Sequence, residues 1–144
     1  MTAPRLRALA AADGVEALTF WKGIPGLGMS PADEPTELTR FFDRNPGLSY
    51  GAYSPDGRLV GTCLAGHDGR RGFLYHLAVA PAYRGLRLST ALIEASLAGL
   101  QAEGIQKVHL FVLASNAAGL DFWVKADVRG WVRRDDLLVF SRDV

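Results

Sequence analysis

The chain has 144 residues, enough for one domain with its own core, and the expectation is a single domain spanning residues 1–144. An apolar fraction of 49% and a charged fraction of 22% are globular values, and no apolar run approaches the roughly 18 residues of a membrane span, so a soluble cytoplasmic protein is expected. A net charge of +1 excludes the strongly basic surface that nucleic-acid binding calls for, and Cys63, the only cysteine, excludes an intramolecular disulfide or a cysteine-cluster metal site. His67, His76 and His109 lack metal-ligand spacing, so no metal is expected.

In chain order, residues 5–9 (RLRAL) suit a first strand. Residues 13–24 suit a helix opened by a capping Asp13, with Val15, Leu18, Phe20 and Trp21 near one face. Residues 25–35 are dense in Gly and Pro and form a loop, and a second short helix follows Thr36 and ends at Asn45 and Pro46. The runs LSYGAYS and RLVGTCLAGH flank a Pro55-Asp56-Gly57 turn, and Asp68 to Gly72 turns the chain again into FLYHLAVA, which together predict an antiparallel meander of three strands. After Pro81 the apolar period becomes helical, with Leu88, Leu92, Ala95 and Leu100 recurring up to Gly104. Residues 107–113 suit a buried strand, residues 116–126 a helix carrying Phe122 and Trp123, and residues 136–142 a last strand. A helix between two apolar strands implies a crossover and a parallel pair, hence a mixed, mostly antiparallel sheet with helices on both faces.

The chemistry-bearing stretch is YRGLRLST, between the strand ending at Ala80 and the following helix. A helix N-terminus offers unpaired backbone NH groups and partial positive charge, which favour phosphate. Arg84 and Arg87 add charged donors, and Ser89 and Thr90 add hydroxyls. The plain alternative is a solvated basic turn with Ser89 or Thr90 capping the helix.

The order of elements, with LAVAPAYRGLRLSTALI at the centre and NAAGLDFWVKADVRGW after it, resembles the GNAT superfamily of acyl-CoA-dependent N-acyltransferases over almost the whole chain. The likeness extends to small bacterial members with a GxDGxRG turn, here Gly66 to Gly72. It implies an α/β fold of the GNAT type, acetyl-CoA as co-substrate, and a small-molecule or protein amine as acceptor, with a homodimer left open. It also implies a central strand that splays at Leu77, Ala78 and Val79 to admit the pantetheine arm. The pyrophosphate turn becomes Arg84, Gly85, Leu86, Arg87, Leu88 and Ser89, continued by Thr90, and Asn116 joins the coenzyme contacts.

Against the family pattern R/Q-x-x-G-x-G/A, Arg87 and Ser89 stand where glycine, and glycine or alanine, are usual. The family's proton-donating tyrosine, seven residues beyond the Asn, corresponds to Trp123, and no tyrosine follows Tyr83. Trp123 is therefore read as core, water or Ser115 is left to return a proton, and the longer spacing to Gly130 and Trp131 suggests an insertion near residues 126–129. For the general base, the central strand offers Tyr75, at a position where the family often has a carboxylate or ordered water, and His76, with water mediation as the alternative. Strand alternation places Phe73, Tyr75, Leu77 and Val79 on one face and His76 on the other. The acceptor is expected to meet the loop of residues 22–35. Two functional readings follow: an N-acetyltransferase acting on a primary amine by direct attack, and a catalytically weak coenzyme-binding or regulatory protein of the same fold.

Overall fold

The computed structural model describes residues 3–85, 87–125 and 130–144, which fall into two compact units, residues 1–111 and 112–144. The expectations attached to Leu86 and to residues 126–129 lie outside the described residues.

The first unit is a five-stranded sheet in the order β1 (Arg5–Ala8), β2 (Tyr50–Tyr53), β3 (Leu59–His67), β4 (Gly72–Val79) and β5 (Val108–His109). The first three pairings are antiparallel, as the two tight turns require, and β4 pairs with β5 in parallel after the crossover through α3 (Leu88–Ala102). Helices α1 (Gly14–Lys22) and α2 (Pro35–Arg44) precede β2. The glycines of β3 show which helix covers which face. Gly61 lies against Leu88 and Leu92 of α3, whereas Gly66, five residues on and so on the opposite face, lies against Phe41 of α2 and its capping Asn45. On the α1/α2 face, Trp21, Leu38, Phe42, Leu64 and Ala78 form a buried cluster. No helix among the described residues is long and apolar enough to cross a membrane.

Several expectations are corrected. Asp13 precedes α1 but does not cap it: its carboxylate accepts from Arg7 at 2.9 Å and from the Ala10 amide at 2.9 Å, closing the chain between β1 and α1. The buried face of α1 is Gly14, Ala17 and Trp21, and Val15 is exposed. The strand expected at 107–113 is reduced to Val108–His109, paired with Gly72 and Phe73, so β4 beyond Phe73 has no ladder partner on that edge among the described residues.

The second unit contains α4 (Ala117–Val124), started by Asn116, whose side chain accepts from the Gly119 amide at 2.9 Å. Phe122, Trp123 and Trp131 pack edge to face, with Trp123 half-buried between the other two rings. The strand expected at 136–142 does not form. Leu137, Leu138, Val139 and Phe140 are exposed, and an apolar run alone makes no strand without a ladder partner.

Candidate functional site

The central irregularity is in β4. Thr62 pairs with Ala78 but Leu64 pairs with Tyr75, so His76 and Leu77 together face Cys63. The extra residue makes a bulge in which His76 takes φ 48, a left-handed conformation that histidine tolerates better than most residues. This corrects the alternation expected along the strand: the bulge turns His76 to the side of Tyr75, and both line one cleft of about 580 Å³ under α2.

Buried hydrogen bonds hold the bulge in place. The Trp21 indole NH donates to Thr62 Oγ1 at 2.9 Å, and the Thr62 hydroxyl donates to the His76 carbonyl at 2.8 Å. The Trp21 ring packs 4.6 Å from the imidazole, centre to centre. His76 Nε2 meets Asp33 Oδ1 at 2.7 Å. Asp33 is itself fixed: Ser30 opens a single 3-10 turn, residues 31–33, and the Ser30 amide donates to Asp33 Oδ2 at 3.0 Å while the Ser30 hydroxyl accepts from Ala32. Both carboxylate oxygens are thus engaged, and Asp33 is 6% exposed. Because an ionised carboxylate can only accept, the pairing puts a proton on Nε2 and leaves the imidazole lone pair on Nδ1.

Asp33 has no counterpart among the residues singled out from the sequence. The Ser-Pro-Ala-Asp run before Pro35 is a legible local capping signal, but nothing in it reveals a partner 43 residues further along the chain. The loop of residues 22–35 contributes Gly28, Ser30, Ala32 and Asp33 to the cleft, and its last residues are ordered by the 3-10 turn. From α2 come Glu37, Arg40, Phe41 and Arg44, a stripe at helical spacing. Phe41 stands edge-on to Tyr75 at 6.0 Å, and Tyr75 is stacked against Phe73 at 6.3 Å. Partial burial raises the Tyr75 pKa, which keeps the phenol protonated.

At the other end of β4, Leu77 is half-buried while Ala78 and Val79 are buried, and the chain passes through a turn at Pro81–Tyr83. The Arg84 Nε–H donates to the Val79 carbonyl at 3.2 Å, tying the turn back to the strand. Gly85 has φ +80 and open space where a Cβ would project. Arg87 is the residue that starts α3, at φ 58 and ψ 22, with no side-chain cap; Leu88 is buried, and Ser89 and Thr90 lie within the first turn of the helix rather than capping it. The left-handed backbone at Arg87 accounts for the glycine usual there, since glycine adopts it without steric cost. The first turn of α3 contains no acidic residue, and Arg84 and Arg87 are exposed beside it, so the turn fits an anion. Asn116 belongs to the second unit, where its side chain serves α4.

Residues 17–127 match the family model described as "Acetyltransferase (GNAT) family". An acetyltransferase of Sodalis glossinidius is 32% identical over 131 residues, covering 90% of this chain and 88% of the relative. Among solved structures, an aminoglycoside acetyltransferase from an uncultured soil metagenomic sample, in complex with sisomicin, superposes with a TM-score of 0.72 at 14% identity, covering 98% of this chain and 96% of its own. The PaiA N-acetyltransferase of Thermoplasma acidophilum, in complex with coenzyme A, gives 0.67 at 18% identity, covering 85% and 87%. At these identities the structural likeness is one of fold. With a mixed sheet flanked by helices and with family and sequence matches spanning most of its length, the chain belongs to the acetyltransferase (GNAT) family.

Proposed function

We propose that the chain, acting as one domain over residues 1–144, transfers an acetyl group from acetyl-CoA to a primary amine by direct attack, with His76 as proton acceptor. The observation that carries this reading is the 2.7 Å pairing of His76 Nε2 with Asp33 at a strand bulge that opens into the cleft. Acetyl-CoA supplies an activated acyl group as a thioester. Backbone NH groups of Gly85, Arg87, Leu88 and Ser89, with the Arg84 and Arg87 guanidiniums, would hold its pyrophosphate, and the edge of β4 at Leu77, Ala78 and Val79, unpaired among the described residues, would accept the pantetheine arm.

His76 Nδ1 takes the proton that the acceptor nitrogen sheds. Asp33 holds the ring in one tautomer and offsets the charge of the imidazolium formed, the role a buried carboxylate plays beside a basic histidine. Tyr75, a neutral phenol, forms the cleft wall next to the proton acceptor. Water returns a proton to the departing thiolate. Arg87 is expected to contribute a charged hydrogen bond to the pyrophosphate. A cytoplasmic reaction fits the single, buried, unpaired Cys63.

The test is acetyl-CoA-dependent thiol release across a panel of primary amines, with coenzyme binding followed separately by thermal shift. Transfer that is lost in His76→Gln while the coenzyme shift persists supports the reading. Coenzyme binding with no transfer to any amine in the unaltered protein would favour a binding or regulatory protein instead.

A further inference from the structure

Four charged side chains line the cleft, and three of them are already satisfied. Asp33 is held by His76 and by the Ser30 amide, and Glu37 is paired with Arg40. Arg44 is exposed and has no carboxylate partner among the described residues. The Glu37–Arg40 pair cancels internally, but a neutral His76 leaves Asp33 its negative charge in one part of the cleft, while Arg44 stands as a cation without a carboxylate partner among the described residues. Its position is informative. Asp33 lies just before the N-terminus of α2, and Arg44 is the last residue of that helix. Glu37, Arg40, Phe41 and Arg44 share one helix stripe, so Arg44 lies about 10 Å along the axis from Glu37. Side chains on a helix tilt toward its N-terminus, which inclines the Arg44 arm back along the stripe toward Glu37. Phe41 and Tyr75, edge-on to each other, give the cleft an aromatic wall.

We infer that the acceptor is a primary amine with a carboxylate set several bonds away, of dipeptide size, whose carboxylate is bound by Arg44 while its amine lies at His76; this rests on the proposed role of His76. A dipeptide spans about 7 Å at full extension, which sets its amine and carboxylate apart by several bonds. The guanidinium matches a carboxylate with two parallel hydrogen bonds, which a carboxamide cannot reproduce. A polycationic amine would place its extra charges against Arg44, with Glu37 already paired to Arg40. The likeness to aminoglycoside acetyltransferases therefore carries the scaffold without the acceptor.

The experiment compares dipeptides bearing an apolar first side chain with their C-terminal amides and with spermidine, in thiol release by the full chain. The acids are expected to exceed their amides in kcat/KM by about tenfold or more, the range of one charge-assisted hydrogen bond. Arg44→Gln should remove that preference by raising KM for the acids while leaving kcat and the amides unchanged. Equal use of acids and amides by the unaltered protein, a preference for spermidine, or an equal loss for acids and amides in Arg44→Gln overturns the assignment. Calorimetry of the same peptides into His76→Gln saturated with coenzyme A separates the two proposals. Acids binding better than amides there supports the Arg44 assignment whatever the turnover, and no preference in binding refutes it. Normal turnover in His76→Gln removes only the proton-acceptor role.

Discussion

The two ends of β4 lead into sites built by different means. At the bulge, side chains from α1, the 3-10 turn, β3 and β4 converge: Trp21, Asp33, Thr62 and His76 are joined by buried hydrogen bonds whose members lie far apart in sequence. At the turn into α3, backbone conformation dominates. Gly85 and Arg87 take positive φ, Arg84 anchors the turn to its own strand, and the arginines are exposed. A site made of side chains loses its function when one atom changes. A turn made of backbone depends on side-chain identity mainly where a side chain strains the chain, as at the left-handed Arg87.

The largest effect should come from the side-chain site. His76→Gln is expected to lower kcat by about 10² to 10⁴, the usual contribution of a positioned general base, with acetyl-CoA affinity unchanged in calorimetry. Asp33→Asn should fall in the same direction by less and alter the pH-rate profile, since the ring loses the carboxylate that orients it. A kcat within about threefold of the unaltered protein for His76→Gln would move proton acceptance to water.

Next in size is the support beneath the bulge. Thr62→Val leaves both the Trp21 indole NH and the His76 carbonyl without their buried partner, which should cost about 1 to 3 kcal/mol in chemical denaturation. Thr62→Ser keeps the hydroxyl and should recover most of the loss. If both variants were equally destabilised, the packing of the threonine methyl would be the main contribution.

The backbone site should respond more weakly and in opposite directions at two positions. Arg87→Gly relieves a left-handed non-glycine residue and should raise stability by about 1 kcal/mol, whereas Gly85→Ala introduces the same strain and should lower it by about as much. Both are read in thermal melts without coenzyme. The salt dependence of acetyl-CoA binding, weaker in Arg87→Ala, then reports the arginine's charge separately from its backbone.

The smallest effect is a pH slope. Burial pushes the Cys63 thiol from its ordinary 9.0 up to about 12. Below pH 9 the thiol is protonated in both folded and unfolded chains and its contribution is fully present. As pH rises from 9 toward 12 the unfolded chain loses the proton first, so stability falls. Cys63→Ala should make the melting temperature decline less steeply across that window, and an unchanged slope would mean that other groups govern alkaline unfolding.

Much of the fold was legible because its signals are local. The Pro55 to Gly57 and Asp68 to Gly72 turns placed two hairpins, the apolar period after Pro81 placed α3 to within two residues of its end, and the crossover implied the parallel β4–β5 pair. The expected strand at 136–142 failed where a local pattern was asked to imply a ladder partner. Tyr75 and His76 were legible as residues of interest, but alternation set them on opposite faces, and FLYHLAVA contains no glycine or proline to announce a bulge.

The sequence by itself determined the turns, the helical periods and the basic turn ahead of α3, because each depends on neighbours within a few residues. Only the tertiary structure decided which face His76 occupies and that Asp33 is its partner. Those outcomes depend on the two-against-one pairing of β4 with β3 and on a loop brought alongside by the packing of α1 and α2, interactions that join residues 14 to 43 positions apart.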